Sequence, residues 1–462
     1  MTDQLPSLTV FRRYDIRGIV GSTLTPEIVG NIGRAYASRL RELRQSQVIV
    51  ARDARLSSPG FARAFIEALL ASGIDVIDLG AAPTPVAYFA THELNIPNAA
   101  IITGSHNPSD YNGLKLTARG RPLHSEKLRE LYERIRASRY VDGEGRLTEL
   151  DIIPRYLRRI VGEIQLARPL RIVVDGGNGV AGATATELFR QLGCDATPIY
   201  CEPDGHFPNH HPNPSDPANL DSLIERVRFG GFDLGLAFDG DGDRLGVVDS
   251  SGEIIWPDRL MMLFSRNILQ RHPGGRIVFD VKSSRHLEAE VARSGGEPVM
   301  WASGYSLIRQ KISEVDAIFG GELSGHLFFR DRWYGFDDGL YAGARLLEIL
   351  ASESRDSHAV FADLPNGVNT PEIMVAFESE SRLRAFMEAL MSGKNGFGSA
   401  RVQRIDGLRV DYDDGWGLAR ESHTTPSLSL RFEGETDSAL QRIQADFKRR
   451  LLAVEQDLKL PF

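Results

Sequence analysis

Six consecutive residues, Asp239-Gly240-Asp241-Gly242-Asp243-Arg244, set three carboxylates at alternate positions with glycine between them. Side chains so spaced converge only where the backbone turns sharply, and glycine reaches the dihedrals such a turn needs. Three ionised carboxylates held that close repel, each pair about 4 Å apart costing roughly 4 kcal/mol at an effective dielectric of 20. A bound cation removes that cost, and an all-oxygen ligand set selects a hard one, Mg²⁺ or Ca²⁺. An EF-hand calcium loop does not fit, because Arg244 stands at its sixth position instead of Gly and Ser250 at its twelfth instead of Glu. Most Asp/Gly runs are solvated turns; the strict alternation and the terminal arginine favour a metal here.

The elements that must position this loop follow a weak repeat over the first 360 or so residues. Each unit opens with a β-rich strand, at Gln47–Ala51, Arg171–Asp175 and Arg276–Asp280. A helical stretch follows, then a glycine-led strand from near Gly73, Gly193 and Gly296, then a third strand at Ala99–Ile102, Leu234–Phe238 (within the apolar run from Phe232) and Ala317–Phe319. Strands alternating with helical patterns imply right-handed βαβ units in a largely parallel sheet. Thr25-Pro26-Glu27 caps and starts one helix, with Ile28, Ile32, Tyr36, Leu40 and Leu43 on a face, and Ser125 opens another carrying Leu128, Leu131, Tyr132 and Ile135.

Each third strand runs into a loop rich in reactive residue types: Thr103-Gly-Ser-His-Asn-Pro108, the acidic loop, and Gly320-Gly-Glu-Leu-Ser-Gly-His326. Ligands of α/β sheets bind outside the carboxyl ends of strands, so the three loops are expected to surround one cleft. Ser105 is in no Gly-x-Ser-x-Gly elbow, and a serine before Asn-Pro is ordinarily a turn residue. Opposite a metal loop it can instead carry a phosphate, whose charge of roughly −1.5 to −2 the cation neutralises. Lys115, ten residues on, is then placed to give or take a proton. Beyond about Pro365 the pattern changes to a smaller α+β domain: Leu428, Leu430 and Phe432 alternate as a strand, and Leu440, Ile443, Phe447 and Leu451 mark a closing helix. Its loop Arg420-Glu-Ser-His-Thr-Thr425 gathers donors of the kind that hold phosphate.

With 462 residues the length prior gives about three domains, and 42% hydrophobic and 25% charged residues are ordinary for a globular enzyme. A net charge of −8 argues against nucleic acid or an anionic membrane as partner. No apolar run approaches the roughly 18 residues of a membrane span. The start, Met1-Thr-Asp-Gln-Leu-Pro6, lacks the regions of a signal peptide, and Cys194 and Cys201, the only cysteines, have no metal or redox spacing. A cytoplasmic protein is expected. Gly177-Asn-Gly-Val-Ala-Gly182 after a strand, with Glu202 twenty residues on, matches the dinucleotide fingerprint and would suit an oxidoreductase, but leaves the other three loops unexplained. His206, His210 and His211 lie among Pro203, Pro208, Pro212, Pro214 and Pro217, which read as an extended linker rather than a zinc site.

The four loaded loops occur in the order and spacing of the α-D-phosphohexomutases. The chain resembles their bacterial phosphomannomutase/phosphoglucomutase branch over essentially its whole length, including Arg13-Tyr-Asp-Ile-Arg-Gly18. The resemblance implies an α/β fold: three similar domains with mixed or parallel sheets (1–150, 151–253 and 254–365) and a smaller C-terminal α+β domain (366–462), around a central cleft. It implies a phosphoserine at Ser105, Mg²⁺ on Ser105, Asp239, Asp241 and Asp243, and proton transfer by Lys115 or His326. Arg244, Glu322, Ser324, His326, Tyr14 and Arg17 would contact the sugar, with Lys282 and Tyr305 at substrate-binding positions, and Arg420, Ser422, Thr424 and Thr425 would hold the unreacting phosphate. The activity implied is interconversion of hexose 6-phosphate and hexose 1-phosphate, mannose and/or glucose, by a monomer activated by glucose or mannose 1,6-bisphosphate. Two departures stand out: where the branch reads Lys-Thr-Gly-His this chain reads Ala302-Ser-Gly-Tyr305, and His423 replaces a common asparagine. They leave a non-catalytic or weakened sugar-phosphate-binding relative as the alternative.

Overall fold

The computed structural model describes residues 5–392, 397–422 and 425–462. The chain forms two compact units: one joins the chain up to Pro257 to Ser324–Asp363, and the other joins Asp258–Leu323 to Leu364–Phe462.

The first unit holds two mixed sheets. In the first, strands run in the order Ile16–Ile19, Tyr111–Ala118, Ala99–Ile102, Gln47–Arg52, Asp75–Ala81 and Leu147–Glu149, with Arg121–Pro122 paired to Tyr111–Ala118. In the second the order is Ile254–Ile255, Leu245–Asp249, Leu234–Phe238, Arg171–Asp175 and Asp195–Ile199. Both place the opening strand of the repeat between the other two, in parallel. The strand after each loaded loop returns antiparallel, Ile101 facing Lys115 and Phe238 facing Leu245. A loop of a few residues can join only antiparallel neighbours, so these sheets are mixed rather than largely parallel. The opening strands are continuous apolar runs because both faces are covered; Val48, Val50, Ala100, Ile102 and Leu114 pack with Ile28, Ile32, Tyr36 and Leu40 of the helix Pro26–Glu42 in one core. Each such side chain is worth roughly 1.5–3 kcal/mol when buried.

Helix starts were partly legible. Thr25 Oγ1 accepts from Ile28 N at 3.3 Å and Pro26 takes the first turn, as the sequence requires. Ser125 precedes the helix Glu126–Arg136 but does not cap it: its φ is 46°, and its hydroxyl donates to Arg13 O at 3.3 Å.

The second unit holds a parallel trio, Glu297–Trp301, Arg276–Asp280 and Phe319–Gly321, and an antiparallel sheet. The trio's last strand starts two residues later than expected, since Ala317 N is still bonded to Ile312 O of the preceding helix. The antiparallel sheet is centred on Ser427–Gly434 and Gly415–Glu421; Leu428, Leu430 and Phe432 pack with Ile443, Phe447 and Leu451 of the helix Asp437–Val454. Among the described residues no helix is long and apolar enough to cross a membrane.

Candidate active site

In the first unit the ends of strands Ala99–Ile102 and Leu234–Phe238 bring Ser105 against the acidic loop. Ser105 Oγ donates to Asp239 Oδ2 at 2.7 Å. The two loops approach so closely that a Cβ on Gly240 would lie 2.4 Å from Ser105 O, and Gly242 turns the chain with φ 78°. Asp239 Oδ1 accepts from Gly242 N at 3.0 Å and Arg244 N at 3.2 Å, which folds the loop around its first carboxylate. All three aspartates are fully buried.

Lys115, carried by the antiparallel return strand, donates to Asp241 Oδ2 at 2.7 Å and also to Asp243 Oδ2. Thr84 Oγ1 donates to Asp241 Oδ2 at 2.6 Å. Burial, then the Asp243 and Asp241 charges, push the Asp239 carboxyl well above its ordinary range, and burial and Asp241 push Asp243 up. For Asp241 burial works the same way, but the charge and hydrogen bond of Lys115, with Thr84, outweigh it and hold the carboxyl down. Asp241 Oδ1 and Asp243 Oδ1 are buried and take no hydrogen bond among the described residues. One oxygen from each aspartate lies within 4.8 Å of the others. Three converging buried carboxylates, two of them with an oxygen that has no donor, fit a hard divalent cation.

Around this centre, Arg244 Nε donates to His326 Nε2 at 3.0 Å, while His326 Nδ1 faces Asp337 Oδ2 at 2.9 Å. The imidazole thus orients the arginine through Nε2. His106 Nδ1 lies 3.1 Å from Ser105 Oγ; burial, then the Arg244 and Arg17 charges, hold that imidazole well below its ordinary value, so it is neutral. Arg17 donates to Thr103 O at 3.0 Å, bracing the serine loop, and its Nε pairs with Asp15 at 2.9 Å. Tyr14 is half-buried beneath the Arg13 guanidinium, 5.6 Å from its ring centre. The Ser324 carbonyl accepts from Ser215 Oγ at 3.2 Å.

The remaining expected residues belong to the second unit. Lys282 pairs with Glu372 at 3.3 Å. Arg420 Nε donates to Asp406 Oδ2 at 3.0 Å, and the same oxygen accepts from Ser303 N at 3.1 Å. Gly304 N donates to Glu322 Oε1 at 2.5 Å, and Tyr305, buried, starts the helix Tyr305–Glu314. Arg420, Glu322 and the segment Ala302–Tyr305 are therefore parts of one hydrogen-bonded cluster. Thr425 Oγ1 lies 3.4 Å from Ser422 Oγ, to which it donates. Thr424 and His423 lie outside the described residues.

Sequence reasoning passed over Arg55 and Asp53. Arg55 is buried and donates to four carbonyls: Ser105 O at 2.8 Å, Asn107 O at 2.5 Å, Pro108 O at 2.5 Å and Tyr111 O at 2.9 Å. Asp53 pairs with Arg55 at 3.2 Å and accepts from Gly104 N at 2.9 Å. Ser105 itself sits at φ 46°, a conformation costing a non-glycine residue of order 1–3 kcal/mol unless its surroundings fix it. The only signal was position: Asp53-Ala-Arg55 leaves the carboxyl end of a parallel strand, where sites gather. Asp337 was missed for the same lack of a local pattern. The dinucleotide match proves to be packing. A Cβ at Gly177, Gly179 or Gly182 would come 3.1 Å from Pro212, 2.7 Å from Gly240 O and 2.6 Å from Cys201 Cα, so the protein's own chain fills the place of a pyrophosphate.

Four family models match in sequence: phosphoglucomutase/phosphomannomutase α/β/α domain I over residues 8–142, domain II over 154–252, domain III over 256–367 and the C-terminal domain over 372–450. The phosphomannomutase/phosphoglucomutase of Pseudomonas aeruginosa is 48% identical, the match covering 100% of both chains. A phosphoglucomutase of Neisseria meningitidis is 45% identical over 95% of this chain and 96% of its own. The crystal structure of a phosphoglucomutase/phosphomannomutase family protein from Burkholderia thailandensis superposes with a TM-score of 0.95 at 47% identity, covering 99% of this chain and 100% of that one. Similarity of sequence and of fold thus runs from end to end, and the chain belongs to the phosphoglucomutase/phosphomannomutase family.

Proposed function

We propose that this protein is a phosphohexomutase that interconverts hexose 6-phosphate and hexose 1-phosphate, with mannose and/or glucose as the sugar, through a phosphoserine at Ser105 and a 1,6-bisphosphate intermediate. The observation that carries this reading is Ser105 Oγ hydrogen-bonded to a buried three-carboxylate loop in which two oxygens have no donor. Asp239, Asp241, Asp243 and Ser105 would hold Mg²⁺, which when bound supplies positive charge against the phosphoryl group.

The chain's own residues do the rest. In the first half-reaction a free sugar hydroxyl attacks phosphorus; a P–O bond to the sugar forms as the P–Oγ bond breaks. The hydroxyl's proton passes to Lys115 or His326, and that pair returns one proton to the leaving serine oxygen, so Ser105 Oγ ends protonated and the proton count is unchanged. The intermediate turns over and its other phosphate returns to Ser105 by the reverse steps. Arg244, oriented by His326, neutralises charge on the transferring group, and such positioning is most of phosphoryl-transfer catalysis. Tyr14, Arg17, Ser324, Glu322, Lys282 and Tyr305 are assigned to the sugar phosphate, and Arg420, Ser422, Thr424 and Thr425 to the remote phosphate, whose grip must serve either end of the sugar and so suits a guanidinium fork with hydroxyls. The domains are assigned as 1–150, 151–253, 254–365 and 366–462. Added glucose or mannose 1,6-bisphosphate serves as activator, and a cytoplasmic monomer is the form proposed.

Peptide mass analysis of purified protein should place one phosphate on Ser105, and Ser105→Ala should lose nearly all turnover while keeping its fold. A phosphate found reproducibly elsewhere, together with an active Ser105→Ala protein, overturns the reading.

A further inference from the structure

The segment from Pro203 to Pro217 was expected to be an extended linker rather than a zinc site. It contains no helix or strand before Pro217, yet it packs against Arg55, Gly240, Gly246 and Ser324 around the centre described in the first unit. Phe207 lies under the Arg55 guanidinium, 5.1 Å from its ring centre, and so beside the clamp on the Ser105 loop. Pro212 lies against Gly240 of the acidic loop, its Cγ 3.5 Å from where a Cβ would stand. Pro214 closes on Gly246, where a Cβ would come 2.6 Å from Pro214 Cβ. Ser215 holds Ser324 O. Five prolines make such a strap stiff, and a stiff strap transmits how its middle is anchored.

That anchor is His210. Its Nε2 lies 3.1 Å from both oxygens of Asp175, and its Nδ1 lies 3.0 Å from His211 O. A backbone carbonyl and a carboxylate both accept, so both faces of the ring favour hydrogens on its nitrogens; burial opposes the charge, but the Asp175 hydrogen bond and charge, with the His211 carbonyl, outweigh it and push the imidazole above its ordinary value. Asp175 is buried at the end of the strand Arg171–Asp175 and also accepts from Gly177 N at 2.9 Å. The ring of Tyr200 packs edge-on at 5.4 Å. Asn209, next in the chain, donates to Asn178 Oδ1 at 2.7 Å, fastening the same stretch a second time.

We propose that the His210–Asp175 pair is a positioning device for the phosphoryl-transfer centre: it pins the proline-rich strap on which the Ser105, acidic and Ser324 loops rest. The proposal rests on the phosphohexomutase reading for its kinetic consequence, but its structural consequence does not. His210 touches no reacting atom; it acts by fixing Pro212, Pro214 and Phe207.

The test compares His210→Gln, which keeps a donor but no charge, with Asp175→Asn and with His210→Lys, which returns a cation. Backbone amide exchange reads the loops without any turnover. In His210→Gln and Asp175→Asn the amides of Ser105, Gly242 and Arg244 should exchange about tenfold faster, while those of the distant helix Pro26–Glu42 stay unchanged, as expected for local rather than global opening. In the mutase assay kcat should fall about tenfold with KM held within about twofold, the pattern of a lost transition-state arrangement. His210→Lys should recover part of both losses. Unchanged exchange at the three loop amides, or acceleration spread evenly over the unit, overturns the proposal. If the parent enzyme shows no mutase turnover at all, the functional reading fails while the exchange experiment still decides the positioning role; should His210→Gln not fold, Asp175→Asn, which keeps the side chain's shape but removes its charge and one acceptor, carries the test.

Discussion

Replacing Arg55 by lysine is the sharpest perturbation of the serine loop that leaves every proposed reacting group in place. The guanidinium spans four carbonyls within seven residues, from Ser105 to Tyr111, while its Nε faces Asp53. A lysine ammonium has three donors at a single point and cannot reach carbonyls arranged around a planar fork. At least two charge-assisted hydrogen bonds are lost, each worth roughly 1.5–3 kcal/mol, so the native loop is destabilised by about 3–6 kcal/mol. Against that stands the strain of order 1–3 kcal/mol in the left-handed Ser105, which no longer has the surroundings that fixed it. The loop is then expected to relax away from its geometry beside Asp239. With each 1.36 kcal/mol worth a factor of ten, even half of the smaller loss predicts a kcat lower by about tenfold or more. Ser105 phosphorylation by a 1,6-bisphosphate should slow in parallel, and the midpoint of thermal unfolding should fall by several degrees. Stopped-flow phosphorylation, steady-state kinetics and calorimetry on the same preparation measure all three. An Arg55→Lys enzyme with kcat and phosphorylation rate within about twofold of the parent would refute the idea that this fork holds the serine in place.

Two further outcomes are expected. The Lys282 charge, with the Ser429 hydrogen bond and Arg420, holds Glu372 down at about 2 against the opposing effect of burial. The stability this gives is complete above the ordinary value of 4.5 and is lost as pH falls towards 2; Glu372→Gln should therefore flatten the acid limb of a pH–stability curve, and parallel limbs for parent and variant would refute the assignment. Ala302→Lys combined with Tyr305→His places cationic groups in the cluster that holds Arg420, and should reduce the dependence of turnover on added bisphosphate, because tyrosine is neutral where histidine or lysine can be charged. Equal activator dependence would mean that Tyr305 only packs.

What could be read in the sequence was what local pattern encodes. Arg171–Asp175 and Arg276–Asp280 were bounded correctly because a buried parallel strand is a continuous β-branched run; the aspartates stood out by their spacing, and Ser105 only by its place after the equivalent strand of the repeat. The start of Phe319–Gly321 slipped because Ala317 N is still tied to Ile312 O, five residues back in the helix before it, and no pattern in the apolar run marks that bond. Arg55, Asp53, Asp337 and the His210–Asp175 pair were invisible for one reason: each works through residues outside its own local pattern, Arg55 on carbonyls 50 or more residues on, Asp53 on an amide 51 residues on, Asp337 on an imidazole 11 residues back and His210 on a carboxylate 35 residues back. The histidine-proline stretch looked like a linker because its ties run sideways to other loops and leave no period in its own sequence.

The way the chain weaves between its two units governs the order in which a newly made molecule can mature. All three aspartates and both loops around them are complete once residue 257 has been added, but Arg244 lacks His326, and Leu340, which lies 3.1 Å from where a Cβ on Gly242 would stand, has yet to be made. A ribosome adding about 5–20 residues per second needs several seconds to supply them. Through that interval a nascent chain carries three crowded carboxylates with Lys115 as their nearest counter-charge and no imidazole behind the arginine. Fragments ending near Pro257 would thus contain every proposed metal ligand and still be unfinished, and no single cut of the chain releases either unit whole.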